Sequence, residues 1–169
     1  LVWTDEFDGP ALDYTKWEME VNAFGGGNNV LQLYTDRAEN VRIENGQLVI
    51  ESRAERAEVS GTVRDFSSGR IRTKRRGDWT YGRFEVRANL PGGRGIWPAI
   101  WMLGINIADG GWPQCGEIDI MEMVGHEAST AHGTAHWGSE WNFHQYSGSS
   151  ITLPNGEHFS EEFHLFSVD

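Results

Sequence analysis

One cysteine, Cys115, stands among 169 residues, so no internal disulfide can form and no cysteine-rich metal motif can be built. Basic residues are also scarce. With 14 Lys and Arg against 25 Asp and Glu the net charge is -11, which argues against a polyanion such as nucleic acid as partner. No apolar run approaches the roughly 18 residues of a membrane helix, and no basic-then-apolar leader opens the chain. A soluble product without a membrane partner is expected, its leader already removed if it is exported. Internal repeats, heptads and low-complexity tracts are missing, as is any convincing helix. What is present is 38% hydrophobic content, enough for a single domain over residues 1–169 with a substantial core. Eight Trp, eight Phe, four Tyr and 21 Gly describe strands and tight turns, with more indole than a core requires. Exposed Trp is a platform for flat apolar faces such as those of sugar rings.

Residues 1–7 read as an opening strand before a turn at Asp8-Gly9-Pro10, with Trp17 assigned to the core. Residues 25–29 read as a flexible loop. Its three glycines lack the Lys-Ser/Thr and the strand-to-helix switch of a phosphate loop, so nucleotide binding is rejected. Residues 41–43 and 47–51 flank Asn45-Gly46, a strong hairpin signal. Residues 52–68 are polar and are expected to form a long connection. Residues 70–76 carry five cations, with Arg70, Arg72 and Lys74 on one strand face opposite Glu85 and its neighbours. Residues 81–90 alternate, Phe84, Val86 and Ala88 inward. Residues 96–103 form a more continuous apolar run, in which Pro98 implies an edge, a bulge or a strand start. Trp97 and Trp101, four apart, would share a face of a regular strand, as core packing or as a ligand platform. Residues 130–137 alternate again, Asn155-Gly156 predicts a second hairpin, and residues 163–168 a last strand. This is the pattern of an antiparallel sandwich or barrel.

The chain is organised around Glu117-Ile118-Asp119-Ile120-Met121-Glu122, between Gly116 and Gly125. In a strand Glu117 and Asp119 share one face and Ile118 and Ile120 the other. Strict alternation would put Glu122 on the apolar side, where an unpaired carboxylate costs several kcal/mol. One extra residue near Ile120-Met121 restores the parity and leaves Met123 facing the core with Ile118 and Ile120. Four effective steps of about 3.3 Å then separate the glutamate backbones by roughly 13 Å, and side chains leaning together close this to roughly 5 to 6 Å. Retaining glycosidases need about 5 to 5.5 Å and inverting ones roughly 6.5 to 9.5 Å, so the spacing favours retention. A helix, the alternative, would have only eight residues and would spread the carboxylates around its circumference. A zinc site built on His126, His132 and His136 fails. Position 130 is Thr, and two strand histidines about 13 Å apart cannot share one ion.

The Glu-Ile-Asp-Ile-Met-Glu stretch resembles the bulged signature of glycoside hydrolase family 16. The resemblance extends to Trp3 through Gly9, Asn28 through Thr35, Ala38 through Ile50, Ser68 through Lys74, Tyr81 through Leu90, Gly95 through Gly104, Trp112-Pro113 and Thr134 through Trp137. These blocks are similar to the laminarinase branch, which cuts β-1,3-glucans. The resemblance implies an antiparallel β-jelly-roll sandwich with a concave glycan-binding cleft. It makes Glu117 the nucleophile, Asp119 its assistant and Glu122 the acid/base. Asn29, Arg70, Trp97, Trp101, Trp112 and His136 become substrate-binding positions. A structural Ca²⁺ with Glu6 and the backbone of Gly46 among its ligands is implied, with no cofactor for catalysis. Family members continue beyond the position of Asp169 with strands that complete both sheets. The chain is therefore expected to lack closing strands, to have open edges, and to be a monomer once they are supplied. The implied activity is retaining endo-hydrolysis of laminarin-type glucan by a secreted enzyme. Two alternatives remain: a non-catalytic β-glucan-recognition protein on the same fold, or a hydrolase for mixed-linkage glucan, agar or carrageenan.

Overall fold

Thirteen strands, one four-residue helix and three single 3-10 turns carry the backbone among the described residues, and the all-β expectation holds. The computed structural model describes residues 1–26 and 28–169. Gly27, within the predicted 25–29 loop, lies outside the described residues. Two units, Leu1–Asp78 and Trp79–Asp169, make up the chain.

The first unit contains β1 (Glu18–Met19), β2 (Leu33–Tyr34), β3 (Val41–Glu44), β4 (Gln47–Ile50), β5 (Arg53–Val59), β6 (Thr62–Ser68) and β7 (Ile71–Arg72). The β3–β4 hairpin forms where Asn45-Gly46 predicts it. Both residues take positive φ, 53° and 71°, the geometry whose twist matches the flanking strands. The 52–68 connection is a correction. It is the β5–β6 hairpin, turned at Ser60-Gly61, with φ of 51° and 79°. Its strands are charged because alternate side chains face solvent, and Arg53 and Arg56 make ion pairs with Glu51 and Asp65. Buried Asn40 ties the start of β3 to β6. Its amide donates to Ser67 Oγ at 2.9 Å and to the Glu51 carbonyl at 3.0 Å, and its oxygen accepts from Arg37, so no buried polar atom of that side chain is left unpaired. Gly69 follows β6 where a Cβ would fall 2.2 Å from Val41 Cγ2, which leaves room for no other residue.

Three further expectations change in this part of the chain. Residues 1–7 make no ladder bonds; Trp3 and Phe7 instead pack against half-buried Trp17, whose Nε1 donates to Asp5 Oδ2 at 2.8 Å. Aromatic contact, not strand pairing, anchors them. The 70–76 strand is only two residues long before a turn. Its cations face β1 rather than Glu85: Arg72 binds Glu18 and Glu20, each at 2.8 Å, and Arg70 lies 3.5 Å from Glu20. Glu85 pairs with Arg83.

The second unit contains β8 (Phe84–Ala88), β9 (Ala99–Leu103), β10 (Glu117–Glu122), β11 (Thr130–Trp137), β12 (Gln145–Thr152) and β13 (His164–Val168). Its four-stranded antiparallel sheet has the order β12-β11-β10-β9, and β13 pairs with β8. The two sheets bury a shared core of Leu90, Met121, Met123, Ala131, Phe159 and Phe166, each large side chain contributing about 1.5 to 3 kcal/mol. Pro98 immediately precedes β9, as its missing N–H requires, and its carbonyl accepts from Met123 N. Asn155-Gly156 does turn the chain, but β12 and β13 do not pair with each other. The predicted second hairpin is a crossover between sheets. Ile118, expected in the core, is 41% exposed, because the core is built on the Met121 end of β10. Val86, predicted inward, is 37% exposed although its strand partner Phe166 is buried.

Candidate active site

β10 is a strand with the bulge at the predicted place. Glu117 stands opposite Leu103 of β9 and His136 of β11, while Glu122 stands opposite Ala99 and His132. Five residue steps on β10 therefore match four on each neighbour, and pairing shifts after Asp119 on both sides. Met121 and Met123 are 1% and 0% exposed, so the extra residue turns toward the core and returns Glu122 to the face of Glu117 and Asp119. Directly paired residues share a face. The carboxylate face consequently also carries Trp101, His132, Thr134, His136, Tyr146 and Ser150. At the Glu117 end Gly104 closes the β9 connection onto β10: a Cβ there would sit 1.9 Å from the Cys115 carbonyl.

Each carboxylate has its own surroundings. Trp112 donates its indole N–H to Glu117 Oε2 at 2.7 Å. Trp97, half exposed just before β9, hydrogen-bonds to Glu122. Asp119 is 4% exposed and lies between the two glutamates, hydrogen-bonded to Glu117. Burial, then the charges of Glu122 and Glu117, push its carboxyl up to about 7. Burial also raises Glu122, against the hydrogen bond from Trp97, and the Glu117 charge adds to the rise. Three clustered carboxyls thus retain a proton near neutrality, with Glu122 moved in the direction a general acid needs. Cys115 is half-buried, and burial raises its thiol.

The Asp119 shift has a consequence for stability. Between about pH 4 and about pH 7 the folded chain holds a proton that the unfolded chain releases, so stability falls as pH rises through that window. Asp119→Asn is expected to melt like the wild type near pH 4 and to be more stable near pH 8, by roughly 2 kcal/mol. Thermal melts at the two pH values check this; a gap that does not grow with pH would refute it.

A groove of about 460 Å³ runs from Glu122 over His132 and His136 to Tyr146 and Ser150. Near Glu117 it is bounded by a cluster of rings: Trp112 lies 4.9 Å from Trp141 and 4.5 Å from His144, centroid to centroid. Sequence reasoning missed His144, Trp141 and Tyr146. For Tyr146 the only signal was alternation over residues 145–152, diluted by Ser and Gly, and Trp141 and His144 lie ahead of that strand with no periodic signal.

Of the predicted site residues, Glu117, Asp119, Glu122, Trp101 and His136 are brought to one face, joined by Trp112 through Glu117 and Trp97 through Glu122. The other four belong to the first unit. Asn29 is an exposed turn residue with φ of 55°, and Arg70 pairs with Glu20 and lies over Tyr34. Glu6 accepts from Thr4, and Gly46 is the exposed hairpin residue. For the implied Ca²⁺, no three His, Cys, Asp or Glu side chains converge on a metal position among the described residues. Glu6 and the Gly46 carbonyl would be the oxygen ligands of the implied ion, and no catalytic step is routed through a metal.

The family model for glycosyl hydrolases family 16 matches residues 32–169. The whole chain is 45% identical to a beta-glucanase of Rhodothermus marinus and covers 58% of it. Over 99% of its length it is 37% identical to glucan endo-1,3-beta-glucosidase A1 of Niallia circulans, covering 26% of that protein. The catalytic domain of an endo-1,3-beta-glucanase (laminarinase) from Thermotoga petrophila superposes with a TM-score of 0.90 at 46% identity, over 99% of this chain and 68% of that one. The chain therefore spans under two thirds of the curated relatives it matches, and the all-β jelly-roll class expected from the sequence is the class it has. A family pattern that takes in both sheets of the second unit, with the bulged carboxylate strand inside the larger one, establishes that this chain belongs to glycosyl hydrolases family 16.

Proposed function

We propose that the protein is a retaining endo-β-1,3-glucanase acting on laminarin-type glucan outside the cell, since a polymer of that size does not cross a membrane. The observation that carries this reading is the bulge in β10. It keeps Glu117 and Glu122 on one face four pairing steps apart, roughly 13 Å between backbones, a span two inward-leaning glutamates reduce to the separation of a nucleophile and an acid/base. In the first step a Glu117 oxygen bonds to the anomeric carbon while Glu122 gives its proton to the departing glycosidic oxygen. In the second, Glu122 takes a proton from water, whose oxygen displaces Glu117 and frees the sugar. Trp112 fixes Glu117 Oε2 and so presents the other oxygen for attack. Asp119, hydrogen-bonded to Glu117, orients the same carboxylate. The groove beside Glu122 and the indoles of Trp97 and Trp101 supply polar and flat apolar surface for successive glucosyl rings. A glucan-recognition protein would need the indoles but not two carboxylates at reaction spacing. Names of relatives with endo-1,3 activity support the linkage.

The test is digestion of laminarin, lichenan and agar, following reducing ends and, by proton NMR, the anomer of the first product. Laminarin should be cut fastest and the new reducing end should first appear as β. An α product would overturn retention, and preference for agar would overturn the substrate.

A further inference from the structure

The indole of Trp141 has no part in the double displacement, yet it stands 70% exposed beside the reacting groups. It opens the turn Trp141–Phe143 between β11 and β12. The backbone fixes that turn: Phe143 N–H donates to the Glu140 carbonyl at 2.9 Å, and His144 N–H to the Trp141 carbonyl at 3.2 Å. Gly138 lets the loop close on itself, since a Cβ there would fall 2.6 Å from the Phe143 carbonyl oxygen. Trp141 leans on Trp112 with centroids 4.9 Å apart, and Trp112 donates to Glu117 Oε2 at 2.7 Å. From Trp112 the rings continue to His144 at 4.5 Å, and from His144 to Tyr146 at 5.9 Å. Four rings thus form one wall, with Trp141 at its end.

The wall flanks the side of β10 toward which the leaving group departs. β9 lies on one side of β10, and β11 and β12 lie on the other. Of the three carboxylates, only Glu122 lines the groove over β11 and β12. Glu122 gives its proton to the departing oxygen in the glucanase reading, on which this inference rests. Sugars on the reducing side of the cleaved bond therefore pass over β11 and β12. The floor of the groove is kept low for them. Gly148 pairs with Thr134 and has no room for a side chain, because a Cβ would fall 2.8 Å from the Gly133 carbonyl oxygen and 3.0 Å from Thr134 Oγ1. Trp101 lies on β9 and Trp97 just ahead of it, so those two indoles serve the opposite side of β10.

We propose that Trp141 is the sugar-stacking residue for the leaving side of the glucan, and that it makes the protein favour chains extending past the cleaved bond over donors with nothing there. An exposed indole offers a flat apolar face to the C–H face of a β-glucosyl ring. The turn that carries it is already ordered by its own hydrogen bonds, so little conformational freedom is lost when a ring docks. Because the wall joins Trp141 to Trp112, and Trp112 to Glu117, a sugar stacked on Trp141 is placed relative to the nucleophile as well as to the acid.

The test compares laminarihexaose, which has sugars on both sides of the cleaved bond, with β-laminaribiosyl fluoride, whose leaving group is fluoride alone. The quantity read is the ratio of kcat/KM on the first to kcat/KM on the second. Trp141→Ala should lower this ratio about tenfold, a loss typical of removing one aromatic anchor. Trp141→Tyr, which keeps a flat face, should stay within about threefold of wild type. Trp141→Leu keeps apolar bulk against Trp112 without a flat face and should fall as far as the Ala variant; it carries the test if the Ala variant does not fold. A ratio unchanged in the Ala or Leu variant overturns the proposal. That includes an equal fall on both substrates, which would show that Trp141 only braces Trp112 and Glu117. If the wild type releases neither sugar nor fluoride, the glucanase reading fails, and titration calorimetry with laminarihexaose decides this one separately. Binding about tenfold weaker in Trp141→Ala than in the wild type then upholds the stacking role, and equal binding or none overturns it.

Discussion

Glu117→Ala and Glu122→Ala are each expected to lose at least about three orders of magnitude of laminarin hydrolysis while binding the glucan within about tenfold of wild type, because both act on the transition state more than on the ground state. Azide separates their roles when an activated aryl glycoside is the donor. In Glu117→Ala the space vacated by the nucleophile admits azide, which attacks the β-linked sugar directly and gives the α-azide. In Glu122→Ala the glycosyl ester on Glu117 still forms from a good leaving group, and azide then displaces it to give the β-azide. The reverse pattern would show that the two roles are exchanged. The Glu117 variant should also release the proton of Asp119 at lower pH, since a neighbouring charge and a hydrogen bond that raise that carboxyl go with it. The Asp119 carboxyl carbon, followed by NMR, reports it.

How far the sequence could be read depended on whether a residue's position is set locally. Asn45-Gly46 fixes its own hairpin through two positive φ angles, and the parity of Glu117, Asp119 and Glu122 fixes a bulge in the strand that contains them. Both were legible. The β5–β6 hairpin was not, because its apolar positions include small Ala54 and Ala57 and its register slips between them, leaving a pattern that resembles a polar linker. Ile118 was assigned to the core from alternation alone, but alternation gives the face and not what lies over it. His144 illustrates the same limit in the site. Its partner His136 is eight positions away, and what joins them is the pairing of β11 with β12, which no local pattern states.

The surplus of indole also divides in a way composition could not show. Trp97 and Trp112 each give an N–H to one of the two glutamates. Their rings serve the carboxylates directly, in addition to any sugar they meet. Trp101 stands opposite Asp119 on the same face. The three tryptophans are thus distributed one to each carboxylate, which ties the position of any glucosyl ring stacked on them to the position of the reacting groups.

Deleting Met121 should leave a folded and active protein, whereas deleting Ile118 should abolish activity. Removal of Met121 converts Glu-Ile-Asp-Ile-Met-Glu into Glu-Ile-Asp-Ile-Glu, in which plain alternation places all three carboxylates on one face with four steps between the glutamates. Ile120 already packs against the core cluster and would take the position opposite Ile100 that Met121 holds now. The loss is then one buried side chain partly refilled, within the 2 to 5 kcal/mol or so that Met→Ala costs at a core site. Met121→Ala, which keeps the bulge and removes the packing, is the control: both variants should melt lower, by comparable amounts. Without Ile118 the bulge remains, but Glu117 moves one step toward Asp119 and onto the opposite face, so nucleophile and acid/base no longer meet. Circular dichroism and laminarin turnover on the three variants check this. If the Met121 deletion failed to fold while Met121→Ala folded, the face of Glu122 would depend on something other than strand parity, and the geometry on which retention is proposed would lose its basis.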